Sequence, residues 1–399
     1  MPTVLSPASL AALVTELVAL TDQAAREAML RPVAAELTLE GQNQLVALLQ
    51  QEQRARRYTD YDDAIRLAEL ISFLGELLGR ADVVATGRLQ ALDARVAAKG
   101  ELDGALAAYD DIIAIYQQHN DELAAATAQI IRIWVLFLHG ETEAALLAGE
   151  EAAAIFGEYE AWQQLASLRN NMSLIYNRLG DHVQALAMVT AGREALQALG
   201  EAGRPLLPSN AISRGLILSN LGRLQEALVV NEEAIALASE LGQQNAVARA
   251  QSNNGRILFS QGHYNQALVL FDEACRSFAD EGRERDSVLT EACMAECFLE
   301  LRRFGAVIER VERIQPVFER LQMGLEAGQM LMLKALAQQQ LAQGEAAVTT
   351  LAAARRQFAA AENPFWGAIA DLHLASIWLE LGEAAKCLAA THRCRQAFS

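Results

Sequence analysis

The 399-residue chain carries a formal net charge of −17 and a pI near 4.9. Ala, Leu, Glu, Gln and Arg dominate, with 6% aromatic residues and seven prolines. These are helix formers, the β-branched and aromatic excess of strands is missing, and 52% apolar content is ample for a core. The acidic balance disfavours nucleic acid and anionic membrane surfaces as direct ligands, and keeps a large surface soluble.

Two N-terminal helices are predicted over about 6–19 and 21–37, making residues 1–40 a capping segment before a solenoid over 41–399. Its first helices are expected near 42–57, 80–98, 120–138, 160–178, 205–220, 243–260, 283–300, 323–342 and 364–380. A second helix fills each gap, the last running to about 397. The start, Met1-Pro-Thr-Val-Leu-Ser-Pro, lacks the basic and apolar regions of a secretion signal. The most apolar stretch, Ile130 to Leu138, is interrupted by Arg132 and is half a membrane span in length. Cys275, Cys293, Cys297, Cys387 and Cys394 form no even framework and no Cys-x-x-Cys, which predicts reduced thiols in a cytoplasmic protein. Leu199 to Ser209, with its Pro and Gly content, predicts a longer loop within a repeat register that resumes after it.

Self-similarity organises the chain. A turn glycine recurs at Gly100, Gly140, Gly180, Gly222, Gly262, Gly344 and Gly382, with Arg302 at the missing place. The spacing is even apart from a long step into Gly222, a long one into Gly344 and a short one after it. Seven positions earlier stands a small residue (Ser173, Gly215, Gly255, Ala295, Ala337, Ala375), and five later often Ala (Ala105, Ala145, Ala185, Ala227, Ala267). The glycine ends one helix in the left-handed conformation. The small residues let two backbones approach, and large residues such as Tyr264 and Phe304 fill the wedge between them. No run alternates with period two, so no sheet is expected.

Residues 170–186 (Asn-Asn-Met-Ser-Leu-Ile-Tyr-Asn-Arg-Leu-Gly-Asp-His-Val-Gln-Ala-Leu) and 253–268 resemble the tetratricopeptide repeat. The period, from Gly140 to Gly180 or Gly222 to Gly262, exceeds the usual one and resembles the long-helix variety of kinesin light chains, bacterial peptide receptors and regulatory arrays. The likeness covers roughly 60–398, with a degenerate copy at 58–66 whose turn falls near Thr59. It implies an all-α, right-handed superhelical solenoid of antiparallel helix pairs, about eight to nine repeats.

No phosphate loop, dinucleotide fingerprint or His-Glu-x-x-His is present, and the six histidines are scattered over different repeats. Paired acids such as Asp110 and Asp111, or Glu150 and Glu151, fall on expected exposed faces. The sequence therefore predicts no enzyme, no metal and no cofactor. The remaining candidate is the inner face of the first helices. In the tetratricopeptide pattern it gathers residues thirteen, ten, nine and six before the turn: Ser167, Asn170 and Asn171, then Ser209 and Ser213, then Arg249, Ser252, Asn253 and Arg256. In peptide-binding members Asn here grips a ligand main chain and Lys or Arg a carboxylate. The resemblance implies those roles for Asn171, Asn253, Arg249 and Arg256. The alternative is that the asparagines bond the adjacent helix and fix repeat packing. Lysine is nearly absent, which counts against terminal-carboxylate recognition. Arg132, Arg214 and Asn254 stand where the pattern prefers Leu. Toward the C-terminus the face turns apolar, with Leu289, Cys293, Leu331 and Met332, while Trp134, Trp162, Trp366 and Trp378 are expected in the core.

The partner expected is a protein or peptide segment, held by a non-enzymatic scaffold or regulator. Two alternatives stand beside it: the sensing or autoinhibitory arm of a larger effector, loosely like arrays preceding CHAT peptidase domains, and a Rap-type receptor for a short signalling peptide. The last helix keeps Ala384, Leu388, Ala389 and Phe398 with nothing after it. It either shields itself, pairs with a neighbour, or begins a longer protein with an effector domain C-terminal to it.

Overall fold

The computed structural model describes residues 6–56, 60–99 and 101–397, and among them contains twenty α-helices, two 3-10 turns and no strand. Thr59, Gly100 and Phe398 lie outside the described residues. The chain divides into two compact units, residues 1–217 and 218–399.

The first unit opens with α1 (Pro7–Ala19), α2 (Gln23–Ala34), α3 (Leu39–Arg56), α4 (Tyr61–Leu78), α5 (Ala81–Lys99) and α6 (Ala105–Gln118). It continues through α7 (Glu122–Leu138), α8 (Thr142–Glu158), α9 (Trp162–Arg178) and α10 (His182–Ala198) into α11 (Leu207–Asn220). The second runs through α12 (Leu224–Glu240), α13 (Gln244–Ser260), α14 (Tyr264–Asp280), α15 (Glu284–Glu300) and α16 (Phe304–Arg320). It ends with α17 (Gly324–Gln340), α18 (Gly344–Ala360), α19 (Pro364–Glu380) and α20 (Ala384–Ala397). Within each unit consecutive helices pack against one another, and first helices also stack, as α7 on α9 and α15 on α17. The all-α solenoid of helix pairs expected from the sequence is the observed architecture.

The turns explain the period. Gly140 has φ +83°, and its N–H donates to Phe137 O (3.0 Å) while the Glu141 N–H donates to Leu136 O (3.0 Å). That is the Schellman pattern, which satisfies two carbonyls at a helix end. The turn between hairpins is built alike: Glu160 has φ +52°, and the Ala161 N–H reaches Phe156 O at 2.8 Å. Left-handed residues therefore recur at 120, 140, 160, 180 and 200, and again at 222, 242, 262, 282, 302, 322, 342, 362 and 382. The interval is constant except between 200 and 222, which is longer by two and holds the 3-10 turns Gly200–Ala202 and Arg204–Leu206.

One turn assignment is corrected. Gly344 is the first residue of α18, and the left-handed residue of that turn is Ala342, φ +58°. The long step before it and the short step after it become equal, and the small residue seven before the turn is Ala335 rather than Ala337. A glycine was the wrong signal because Asn120, Glu160, Arg302, Gln322, Ala342 and Glu362 all adopt positive φ. The Schellman bonds and the packed helices on either side hold a strain of about 1 kcal/mol at such a residue.

Packing follows the same register. Nine and sixteen residues after the turn, Phe271 and Phe278, Val311 and Phe318, and Leu351 and Phe358 are all at most 2% exposed. A Cβ on Gly255 would sit 2.7 Å from the Phe271 ring, which is why a small residue stands opposite the large one. Burying each such aromatic is worth about 1.5–3 kcal/mol. Trp134, Trp162, Trp366 and Trp378 pack against these clusters as expected.

The start of the chain is fastened differently. Arg26 of α2, 1% exposed, donates from Nε to Leu17 O (3.0 Å) and Leu20 O (2.9 Å), and from Nη2 to Asp63 Oδ1 (2.6 Å). Arg56 approaches the same carboxylate at 3.0 Å. A buried guanidinium is tolerated because carbonyls and a carboxylate replace its water.

Candidate functional site

The candidate residues fall into two sets, one in each unit. In the first, Ser167 is exposed and its hydroxyl donates to Gln163 O (3.0 Å) within α9. Half-buried Asn170 accepts the Ser173 hydroxyl on its backbone carbonyl at 2.7 Å. The Asn171 Nδ2 donates to Ile130 O on α7 at 2.7 Å, so this side chain ties one first helix to the preceding one. Ser209 is exposed, whereas Ser213 is 7% exposed and its hydroxyl donates back to Ser209 O (3.2 Å). A neighbour missed in the sequence, Asn210, is 5% exposed and donates from Nδ2 to Val189 O on α10 (3.0 Å).

In the second unit Arg249, Ser252 and Asn253 are half-buried on α13 and Arg256 is exposed. Arg256 stands beside Cys293 and Glu296 of α15, which occupy the nine-before and six-before positions of the next repeat. The same register positions on successive first helices thus come together. Burial pushes the Cys293 thiol up to about 11, with the Arg256 charge and hydrogen bond acting the other way. Burial also raises the Glu296 carboxyl above its usual range, again opposed by Arg256. Farther along, burial lowers the His373 imidazole below its ordinary value. Cys275 and Cys297 are held up to about 12 by burial, so these thiols stay protonated near neutral pH and are poor nucleophiles. Among the described residues no group of His, Cys, Asp and Glu could hold a metal ion, and no helix is long and apolar enough to cross a membrane.

The polar residues standing where the pattern prefers Leu are in register. Arg132 pairs with Asp110 at 2.8 Å, clipping α7 to α6. Asn254 accepts from the Asn231 Nδ2 at 2.8 Å, and Asn231 is fully buried at the position held by Phe271 and Val311 in the next two repeats. Glu150, although exposed, reaches Arg169 at 2.6 Å across to α9. Many polar residues that looked like ligand groups therefore fasten one repeat to the next. Two clefts of about 480 and 400 Å³ lie at equivalent places two repeats apart, one beside Glu291 and Arg313, the other beside Asp371 and Arg393.

Residues 207–280 match the family model described as tetratricopeptide repeat. That stretch carries the likeness to the tetratricopeptide repeat. The matched stretch takes in α11 to α14, with the turns at Gly222 and Gly262. Over 198 residues, 48% of its length, the chain is 22% identical to Protein KINESIN LIGHT CHAIN-RELATED 2 of Arabidopsis thaliana, and spans 29% of that protein. Among solved structures, it is similar to a Signal Transduction ATPase with Numerous Domains from Pyrococcus horikoshii that carries a tetratricopeptide repeat sensor. That likeness has TM-score 0.65 and 13% identity, over 90% of this chain and 52% of the other. The Rap conjugation gene regulator of plasmid pLS20, solved in complex with the Phr* peptide, is similar at TM-score 0.54 and 13% identity, over 88% of this chain and 94% of that one. At such identities the likenesses establish the fold. The chain spans less than two thirds of the curated relative and of the ATPase.

Proposed function

We propose that this protein is a non-catalytic, cytoplasmic scaffold or regulator that binds an extended polypeptide segment along the inner face of its first helices. The observation that carries this reading is the row in the second unit, where Arg256 on α13 meets Cys293 and Glu296 on α15 at matching register positions. A row that continues from helix to helix suits a ligand that is itself periodic. Arg249 and Arg256, on one helix with Asn253 between them, offer charge and amide hydrogen bonding to a main chain and an acidic side chain. Leu289 and Leu333, half-buried in the following repeats, would accept apolar side chains of the same segment. The pLS20 regulator, of the same fold, binds the Phr* peptide, which supports a peptide as the ligand class.

In the first unit Asn170, Asn171, Ser167 and Ser209 are proposed to offer the same polar chemistry, with Asn171 also serving the bond to Ile130. The test is recovery of partners by the intact protein and by an Asn253→Ala, Arg256→Ala variant from cell extract, with folding checked by circular dichroism. The reading predicts that the variant loses most of the recovered protein; equal recovery sinks the site. A second reading, in which the array is the sensing arm of a larger effector, draws support from the tetratricopeptide repeat sensor of the signal-transduction ATPase. An effector domain encoded downstream of Ser399 would favour it.

A further inference from the structure

We infer that a cleft of about 420 Å³ in the first unit is a binding site for a basic polypeptide segment, one that sets an arginine or lysine beside a large apolar side chain. It opens between the second helices α4 and α6, over the side of α5 that they share, with α2 at its edge. The cleft follows the seam between two hydrophobic clusters. Phe73 belongs to the margin of one, Leu92 and Ile115 to the margin of the next, and all three are half-buried. Its floor is fixed before any ligand arrives. A Cβ added to Gly87 of α5 would lie 2.3 Å from the Ser72 backbone N of α4, and one on Gly75 would lie 2.5 Å from the Val84 backbone N. The two helix backbones therefore touch, and little of the wall remains to be ordered on binding.

The charges lining the cleft choose its occupant. Arg95 pairs with Glu69, and Arg88 reaches Glu76 at 3.9 Å, both across to α4. Two further carboxylates, Glu27 on α2 and Asp111 on α6, line the cleft with no ion-pair partner among the described residues. The cleft beside Glu291 and Arg313 shows what is missing. Arg88 stands nine residues after the left-handed Gly79, as Glu291 does after Gly282, and Asp111 stands nine before Asn120, as Arg313 does before Gln322. In that cleft the two matching residues pair with each other. Here acid and base are exchanged, Arg88 is engaged with α4, and Asp111 is left for an incoming cation. Arg31 of α2, 4.8 Å over the Phe73 ring, shows that a guanidinium suits this wall. Leu92, Ile115 and Ala108 remain for the methylenes of the ligand's cation and for its apolar neighbour. A second copy of the chain, itself at −17, is disfavoured by like charge, so the occupant is a partner of opposite sign. The site is separate from the Arg256 row, which would take an acidic side chain, and does not rest on it.

The test is fluorescence anisotropy of a labelled Gly-Leu-Arg-Leu-Arg-Gly peptide titrated with the 399-residue chain, beside Gly-Leu-Glu-Leu-Glu-Gly and Gly-Ser-Arg-Ser-Arg-Gly. The first is expected to bind, more weakly as salt rises, and the other two at least about tenfold more weakly. Asp111→Asn is expected to weaken the first peptide about threefold to fivefold, within the range of an exposed ion pair. Glu27→Gln combined with Asp111→Asn is expected to weaken it about tenfold. Asp280→Asn removes the same charge from an exposed site elsewhere and is expected to leave binding unchanged. The exchange Arg88→Glu with Asp111→Arg restores the charge order of the Glu291 cleft and is expected to abolish binding. All of these positions are exposed or half-buried, so the variants keep the wild-type circular dichroism and melting temperature. Four outcomes would each overturn the assignment: no binding, a Ser peptide that binds as well as the Leu peptide, equal weakening by Asp111→Asn and Asp280→Asn, or binding lost in the Asn253→Ala, Arg256→Ala variant.

Discussion

Helices α1–α4 and helices α19–α20 each hold a buried aspartate between arginines, in different apolar surroundings. At the start of the chain a buried charge is the fastener: Arg26 bridges two carbonyls of α1 and its following residue to Asp63 of α4. Around it Leu10, Leu17, Leu30, Leu45 and Leu49 are fully buried. At the last hairpin Asp371, 4% exposed, also gathers two arginines, Arg355 and Arg393, but the leucines beyond it remain in water. A buried ion pair contributes little net stability and fixes geometry strongly. Helices α1–α4 combine such a pair with fully buried leucines, whereas in α19–α20 the pair stands beside leucines that are exposed.

Asp63→Ala should have the largest effect of any change considered, because it strands the Arg26 guanidinium in the interior. A loss of about 3–5 kcal/mol in urea unfolding is expected, and a loss under about 1 would show that this end is held by its leucines alone. Leu374→Ala should cost about 2–5 kcal/mol as a core deletion. Leu372→Ala, two residues away on the exposed face, should cost under about 0.5 kcal/mol. Similar values for the two would mean that Leu372 is packed as tightly as Leu374, and would erase the contrast.

The Asn231–Asn254 pair tests polar fastening between successive hairpins. Asn254→Leu leaves Asn231 unpaired and should cost about 1–3 kcal/mol, while adding Asn231→Leu should recover most of it in a double-mutant cycle. Ala342→Gly should stabilise by about 0.5–1 kcal/mol by removing a Cβ from a left-handed turn. The smallest effects are in pH. His373 is depressed below its ordinary 6.5, so the stability it contributes is present above that value and fades as pH falls through the lower folded-state value. Glu296 is raised, so its burial opposes folding at neutral pH and the opposition eases on acidification. Thermal melts of His373→Gln and Glu296→Gln between pH 7 and 4 should deviate from wild type in opposite directions.

Helix positions were legible because a regular beat of apolar spacing and turns repeats through the chain: α13, α15 and α19 begin within about one or two residues of their expected starts. The turn at Ala342 was misread because glycine marks the ease of a left-handed residue, whereas the neighbouring helices dictate it. Asn171 illustrates what the sequence left open at the candidate site. Its position fits both a ligand contact and a bond to the previous helix, and only the 2.7 Å distance to Ile130 O reveals the second. The Arg26–Asp63 contact was invisible because its partners are 37 residues apart and outside the repeat. The register that places Arg256 beside Glu296 was readable; the burial that raises the Glu296 carboxyl was not.

The turns within hairpins and between hairpins share one geometry, so nothing in the backbone marks where a repeat starts. Removing or duplicating the codons between alternate turns, such as those at 222 and 262, would return every downstream helix to its original direction and face. Removing only the stretch between adjacent turns, such as 222 and 242, would invert all of them. A gene of this design changes length by recombination in whole doublets, and the stretch between 200 and 222, out of step with the others, is where that freedom is interrupted.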